Sequence, residues 1–294
     1  MKILVTGDAG FIASHIADKY RALGHTVVSV DNRHKKPINI NDGDSLMKLF
    51  MKEKPDIVNH HAAIIEVTKS VREPIPVYQT NTIGTINTLI AAGACGTVKK
   101  FIFSSTAAVY NDPKKIPVSE TTTTNPLSPY GLSKLLAEEA IKFYSKRFGF
   151  DYLIFRYANV YGPRQNPKGE AGVVAIFTEL MRNGKQPTIF GDGTKTRDYV
   201  YVDDIVRANV AALRKGKNAT INIGWGKQID DKTVFDEVKK NIRFPHDPLY
   251  AEARPGEVYK IALEAKKAFE VIGWKPMTSF EKGVKLHVRE TGSA

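Results

Sequence analysis

Tyr130 and Lys134 stand four positions apart in Tyr130-Gly131-Leu132-Ser133-Lys134. They open a segment whose apolar residues, Leu132, Leu135, Leu136, Ala140 and Phe143, recur at helical spacing, so the two side chains share one face. Ser128 and Pro129 come just before, where an N-cap hydroxyl and an early proline belong. A free phenol titrates near pH ~10, too high for a base at neutral pH. A cation held close favours the phenolate and lowers that pKa, at about 1.4 kcal/mol per unit. The result is a proton acceptor of the kind that oxidation of an alcohol needs. Tyr and Lys one turn apart also occur on helices with no chemistry, so the rest of the chain must supply the hydride acceptor.

The first thirty residues supply it. Lys2-Ile3-Leu4-Val5-Thr6 reads as a short strand buried on both faces, Gly7-Asp8-Ala9-Gly10-Phe11-Ile12-Ala13 as a glycine turn opening a helix that runs through Leu23, and Val27–Val30 as a second strand ending in Asp31. Strand, glycine turn, helix, strand and acid form the dinucleotide-binding unit. Gly7 permits the tight turn, and Gly10 lets a pyrophosphate approach the helix N-terminus. Asp31 can accept from ribose hydroxyls and would repel a 2′-phosphate, which favours NAD over NADP. The basic cluster Arg33-His34-Lys35-Lys36 pulls weakly the other way.

Further strands are expected at Asp56–His60, Phe101–Phe103 and Tyr152–Arg156, with helices at Asp44–Lys52, around Asn81–Cys95 and at Tyr130–Phe148. Alternating strands and helices without internal repeats predict an α/β fold, a Rossmann-type doubly wound parallel sheet. Ligands in such sheets sit outside the carboxyl ends of the strands. There this chain has the small-residue turn His61-Ala62-Ala63 and the hydroxyl run Ser104-Ser105-Thr106. Hydroxyls leaving a strand are equally common in plain turns. Beyond residue 162 the sequence turns loop-rich, with Arg164, Arg197 and Arg254 in or beside loops, suited to forked phosphate contacts although a surface arginine is usually just solvated. Tyr199–Val202 and Ile221–Ile223 look like strands that rejoin the sheet or form a small one. The expected division is 1–162 as an NAD-binding domain, with 198–223 returning to it, and 163–197 with 224–294 as a smaller discontinuous α/β substrate domain.

Composition excludes several classes. The chain has 294 residues, 42% of them hydrophobic, enough for a large core. No apolar run approaches the roughly 18–20 residues of a membrane span, and the N-terminus turns polar too soon for a signal peptide. A single cysteine, Cys95, rules out an internal disulfide and makes a cytoplasmic location the default. Scattered histidines give no metal-site spacing; His60 and His61 point to opposite faces of a strand. The net charge of +12 is dispersed in short runs, so neither nucleic acid nor a membrane surface is expected as partner.

TGDAGFIASH (6–15), VDN (30–32), HHAA (60–63), NTIGT (81–85), FSSTAAVY (103–110), YGLSK (130–134), RYANVYGPRQ (156–165), FGDGTKTRDYVYVDD (190–204) and ARPGE (253–257) follow one another across nearly the whole chain. In these stretches it resembles the extended short-chain dehydrogenases/reductases, and within them the NDP-sugar epimerases of the UDP-glucose 4-epimerase type. The resemblance implies a homodimer formed by the helices at 81–95 and 130–148. It also implies an NAD-dependent 4-epimerase of UDP-hexoses in which Tyr130 takes the proton of the sugar 4-hydroxyl. Lys134 would hold the nicotinamide ribose and lower the tyrosine pKa, and Thr106 would bond the same sugar oxygen. The cofactor would be held by Gly7, Gly10, Phe11, Ile12, Asp31, Asn32, Asn39, Ile40, His61, Ala62, Ala63, Asn81 and Ser104, together with Tyr130 and Lys134. Asn159, Val173, Arg197 and Arg254 would join Thr106 and Tyr130 around the substrate.

The scaffold also hosts 4,6-dehydratases, NADP-dependent reductases and non-catalytic relatives that bind dinucleotide or RNA. Dehydratases of this family carry Asp or Glu directly after the hydroxyl residue, where this chain has Ala107 and Ala108. Further departures are Ala13 for the third glycine, Asn39 for an aspartate facing the adenine, a short segment between Asp31 and Asp42, Trp225 in a turn normally small, and Ile261 at the position that governs room for N-acetylated sugars.

Overall fold

The computed structural model describes residues 1–110, 113, 115–168, 172–253 and 258–292. Its framework is a six-stranded parallel sheet. The first half of the chain supplies β1 (Lys2–Thr6), α1 (Phe11–Ala22), β2 (Thr26–Val30), α2 (Gly43–Glu53), β3 (Ile57–His60), α3 (Val67–Arg72), α4 (Pro74–Tyr78), α5 (Gly84–Cys95), β4 (Lys100–Thr106), α6 (Pro129–Phe148) and β5 (Asp151–Tyr157). The second half supplies β6 (Asn159–Tyr161), α7 (Val173–Arg182), β7 (Thr188–Phe190), β8 (Thr196–Arg197), β9 (Tyr199–Tyr201), α8 (Val202–Ala212), β10 (Ala219–Ile223), β11 (Ile229–Asp230), α9 (Asp231–Ile242), β12 (Leu249–Ala251), α10 (Lys266–Ile272) and α11 (Phe280–Thr291).

The sheet order is β10-β5-β4-β3-β1-β2. Order reverses between β1 and β3, so their carboxyl ends bound the crevice where such sheets take ligands. Successive residues of one strand feed opposite cores, as strand geometry demands. Ile3 and Val5 join one apolar cluster with Ile57, Ile102 and Phe155, whereas Leu4 joins the other with Val58, Phe101 and Phe103. A third cluster, built from α7, α9 and α11 around Tyr161, Tyr199 and Tyr201, belongs to the second half of the chain.

Of the two late strands expected from sequence, residues 219–223 rejoin the sheet at its edge beside β5, whereas 199–201 pair with β6 instead. The helix expected around Asn81–Cys95 opens with a wide π-helical turn over Gln79–Ile83, between α4 and α5. It is held by Asn81, whose Oδ1 accepts from the Ile64 N–H and whose Nδ2 donates to the Ile64 carbonyl, both at 2.8 Å. Among the described residues no helix is long and apolar enough to cross a membrane, and no three His, Cys, Asp or Glu side chains group as a metal site.

Candidate active site

The β4 strand ends at Thr106, whose Oγ1 accepts from the Ala108 N–H at 3.1 Å and turns the chain into a short 3-10 segment. Helix α6 begins against that turn. Its N-cap, Ser128, accepts from the Gly131 N–H, and Pro129 occupies the first turn. Gly131 allows the contact, because a side chain there would run into the Ala108 carbonyl. Tyr130 is thereby brought beside Thr106, and its own backbone N–H donates to the Ser70 hydroxyl at 3.1 Å.

One turn on, Lys134 is 3% exposed. Its Nζ donates to the Ser104 carbonyl at 2.8 Å and lies 4.7 Å from the Phe103 ring centroid. Burial pushes the ammonium down to about 7, with the Glu138 carboxylate pulling the other way. Burial also raises the Tyr130 phenol, and the Thr106 hydroxyl only partly offsets this. The lowering expected from Lys134 is therefore not built into the chain by itself: the nearer effect is loss of water around the phenol, and the ammonium is committed to the Ser104 carbonyl.

Glu138 escaped the sequence reading, although its position one turn after Lys134 on the same face could have flagged it. It accepts from Arg156 twice, Nε to Oε1 at 3.0 Å and Nη2 to Oε2 at 2.7 Å, and from Ser105 Oγ. Arg156 goes on to the Tyr110 hydroxyl, which donates to Asn222. This buried network fixes the strand end from below. Hydrogen bonding to Glu138 and Tyr110 more than offsets burial at the guanidinium, which stays firmly charged.

At the neighbouring strand ends, Gly7 takes a left-handed φ of 74°, and a side chain there would strike the Ala62 nitrogen at 2.7 Å. Thr6 Oγ1 pins His61 and Ala62 by accepting from both backbone N–H groups at 3.1 Å. Gly10 caps α1 with no side-chain hydrogen bond, and a Cβ there would fall 2.9 Å from the Gly7 carbonyl. The helix N-terminus is thus left open to an anion, with Phe11 and Ile12 as its first residues. Asp31 lies 6% exposed at the end of β2, accepting from the Ala9 N–H at 3.2 Å and from Arg33 through backbone and side chain. Burial alone would raise its pKa, but those bonds win and hold the carboxyl below its usual range.

The other predicted positions divide. Asn32 is exposed, Asn39 accepts from the Asn41 N–H within its own turn, and Ile40 is buried against Gly84. Ala63 lies half-buried past the pinned turn. Asn81 commits its side chain to Ile64 and to Ser133 of α6, and the Ser104 hydroxyl donates to the His60 carbonyl. Asn159 is exposed with its N–H on the Asp198 carbonyl, Val173 is half-buried at the start of α7, and Arg197 is half-buried with Nη1 on the Thr196 carbonyl. Arg254 lies outside the described residues. Arg164 pairs with Asp18 of α1 at 2.7 Å, both side chains about half exposed. Ile261 is 5% exposed inside the first core cluster.

The model of the NAD dependent epimerase/dehydratase family matches residues 3–224, three quarters of the chain. The chain belongs to this family. A provisionally assigned UDP-glucose 4-epimerase of Methanocaldococcus jannaschii is 45% identical over 96% of both chains. The solved UDP-glucose 4-epimerase of Thermotoga maritima with UDP-glucose is 43% identical, with a TM-score of 0.97 and coverage of 100% of this chain and 99% of the other. That of Thermus thermophilus with NAD is 34% identical, with a TM-score of 0.93 and coverage of 100% of both chains.

The family's cofactor is NAD, and the residues present fit it. A glycine turn that any Cβ would fill, an uncapped helix N-terminus and a buried carboxylate at the end of β2 meet the pyrophosphate and adenosine ribose of a dinucleotide. His61 adds a half-buried ring whose Nδ1 is buried and unpartnered among the described residues, its pKa driven to about 3 first by burial and then by Lys134.

Proposed function

We propose that this family member is a UDP-hexose 4-epimerase of the UDP-glucose/UDP-galactose type, working through a transient 4-keto sugar. The observation that carries the reading is the meeting of the Tyr130 and Thr106 hydroxyls at the end of β4, followed by Ala107 and Ala108 rather than a carboxylate. Water elimination needs a further acid there; proton and hydride exchange do not. When bound, NAD would supply the hydride acceptor for oxidation at sugar C4 and the hydride donor for reduction on the opposite face.

Each chain residue then has a defined task. Tyr130 takes the 4-hydroxyl proton at its phenolic oxygen and gives it back to the epimeric alkoxide. Thr106 donates to the same oxygens and steadies the phenolate. Lys134, braced by the Ser104 carbonyl, provides positive charge beside the ribose. Gly7, Gly10 and Asp31 hold the dinucleotide, while Asn159, Val173, Arg197 and Arg254 surround the nucleotide diphosphate and sugar. Residues 1–162 with 198–223 serve the cofactor, and 163–197 with 224–294 serve the substrate. Incubation with NAD⁺ and UDP-glucose should yield UDP-galactose. Failure to interconvert any UDP-hexose or UDP-N-acetylhexosamine pair would sink the reading.

The same proposal makes the protein a cytoplasmic homodimer. Ile83 and Ile90 on and beside α5, with Leu132, Leu136 and Phe143 on α6, are large apolar side chains between 38% and 64% exposed on adjacent helices. Such a patch is the kind covered by a second copy. The lone Cys95 suits a reducing compartment. Light scattering should give twice the chain mass.

A further inference from the structure

Asp198 follows Arg197 and is 1% exposed. Its carboxylate gathers three backbone donors from two distant segments. Oδ1 accepts from the Trp225 N–H at 2.9 Å, and Oδ2 accepts from Gly226 at 2.9 Å and Leu263 at 3.0 Å. Its own carbonyl takes the Asn159 N–H at 2.9 Å. Gly224 makes room for the arrangement, since a Cβ there would run into Oδ2. No lysine or arginine pairs with the carboxylate among the described contacts, so its charge is met by peptide dipoles alone, as an acceptor that must serve more N–H groups than a neutral side chain could. One residue thus ties together the segments bearing Asn159, Arg197 and Ile261.

We propose that Asp198 is a positioning residue for the nucleotide-sugar diphosphate: its carboxylate anchors the Asn159–Arg197 side of the proposed substrate site to the core-packed segments at Trp225–Gly226 and Leu263. The inference rests on the 4-epimerase reading for the identity of the ligand. An asparagine in the same place offers one acceptor oxygen and turns an NH2 towards donors that have no other partner, so one side of the site must move.

The test uses the full chain and UDP as probe. Asp198→Asn should weaken UDP binding about tenfold or more by calorimetry and raise KM for UDP-glucose in parallel, with kcat within about threefold and bound NAD unchanged. Gly224→Ala leaves the carboxylate in place chemically but pushes it aside, and should show the same split. The proposal is overturned if either folded variant binds UDP as wild type does, or loses NAD as much as UDP. It is overturned too if neither variant folds, since Asp198 would then be scaffold only. Failure of the wild type to bind UDP would count against the 4-epimerase reading instead.

Discussion

The Arg33 guanidinium closes on the Asp31 carboxylate through two parallel contacts, Nε to Oδ1 at 2.9 Å and Nη2 to Oδ2 at 2.8 Å. Both oxygens are those that adenosine ribose hydroxyls would use, and Nη2 lies 3.4 Å from where a Gly10 side chain would begin. A ribose bonded to Asp31 would compete with this pair. Because the Arg33 side chain is 58% exposed, the pair is worth only about 0–1 kcal/mol. Arg33→Ala should therefore tighten NAD⁺ binding to cofactor-free protein by a few-fold, measured by equilibrium dialysis. Weaker binding would mean that Arg33 holds the cofactor rather than guarding its site.

Glu138 sits one turn from Lys134 and supports its charge against burial. Glu138→Gln should let the ammonium lose its proton more easily. The sign follows: activity that needs protonated Lys134 is lost as pH rises through the lysine pKa, so the alkaline limb of kcat/KM should move to lower pH. The variant also strands the Arg156 charge, at a cost of about 3–5 kcal/mol in stability. The profile must therefore be taken well below its melting temperature. An unmoved alkaline limb would reduce Glu138 to a structural partner of Arg156.

Tyr130→Phe removes the proton acceptor and leaves Thr106, Lys134 and the glycine turn in place. Turnover should fall by about 10²–10⁴, the range for loss of a positioned acid–base group. Cofactor content, read from the absorbance of denatured protein, should not change. Substantial residual epimerisation would move the base elsewhere, with Thr106 the nearest hydroxyl.

Much of this was legible in sequence because it depends on local rules. The glycine turn, the doubly buried strands, the Ser128 cap and the Tyr130–Lys134 face are each written within a few consecutive residues, and the parallel sheet follows from their alternation. What was hidden depends on distant partners. Nothing around Asn81 announces that its amide is spent on Ile64 and Ser133, and nothing near Asp198 announces donors at 225, 226 and 263. Nothing near Arg164 announces its pairing with Asp18 of α1. At Tyr130 one-turn spacing reveals the nearby cation, whereas the burial that raises the phenol is set by everything packed around it.

His287 provides an acid-stability test far from the chemistry. It is 1% exposed in α11, and among the described residues neither ring nitrogen makes a full hydrogen bond. Burial drives its pKa down to about 4, and the backbone of Gly162 only partly resists. The unfolded chain therefore binds this proton first, near pH ~6.5. Folded stability is whole above that pH and falls as pH drops from about 6.5 to 4, by about 3 kcal/mol across the window. Asp198 works in the opposite sense. Burial raises its carboxyl to about 6 despite its three backbone bonds, so its contribution grows as pH falls from 6 towards the ordinary carboxylate value. Comparing variants cancels it. The urea-derived stability of the wild type should drop between about pH 7 and pH 5, and His287→Leu should lessen that drop by about 2 kcal/mol. An identical drop in the variant would transfer the acid sensitivity to His60 and His61, whose pKa values burial also lowers.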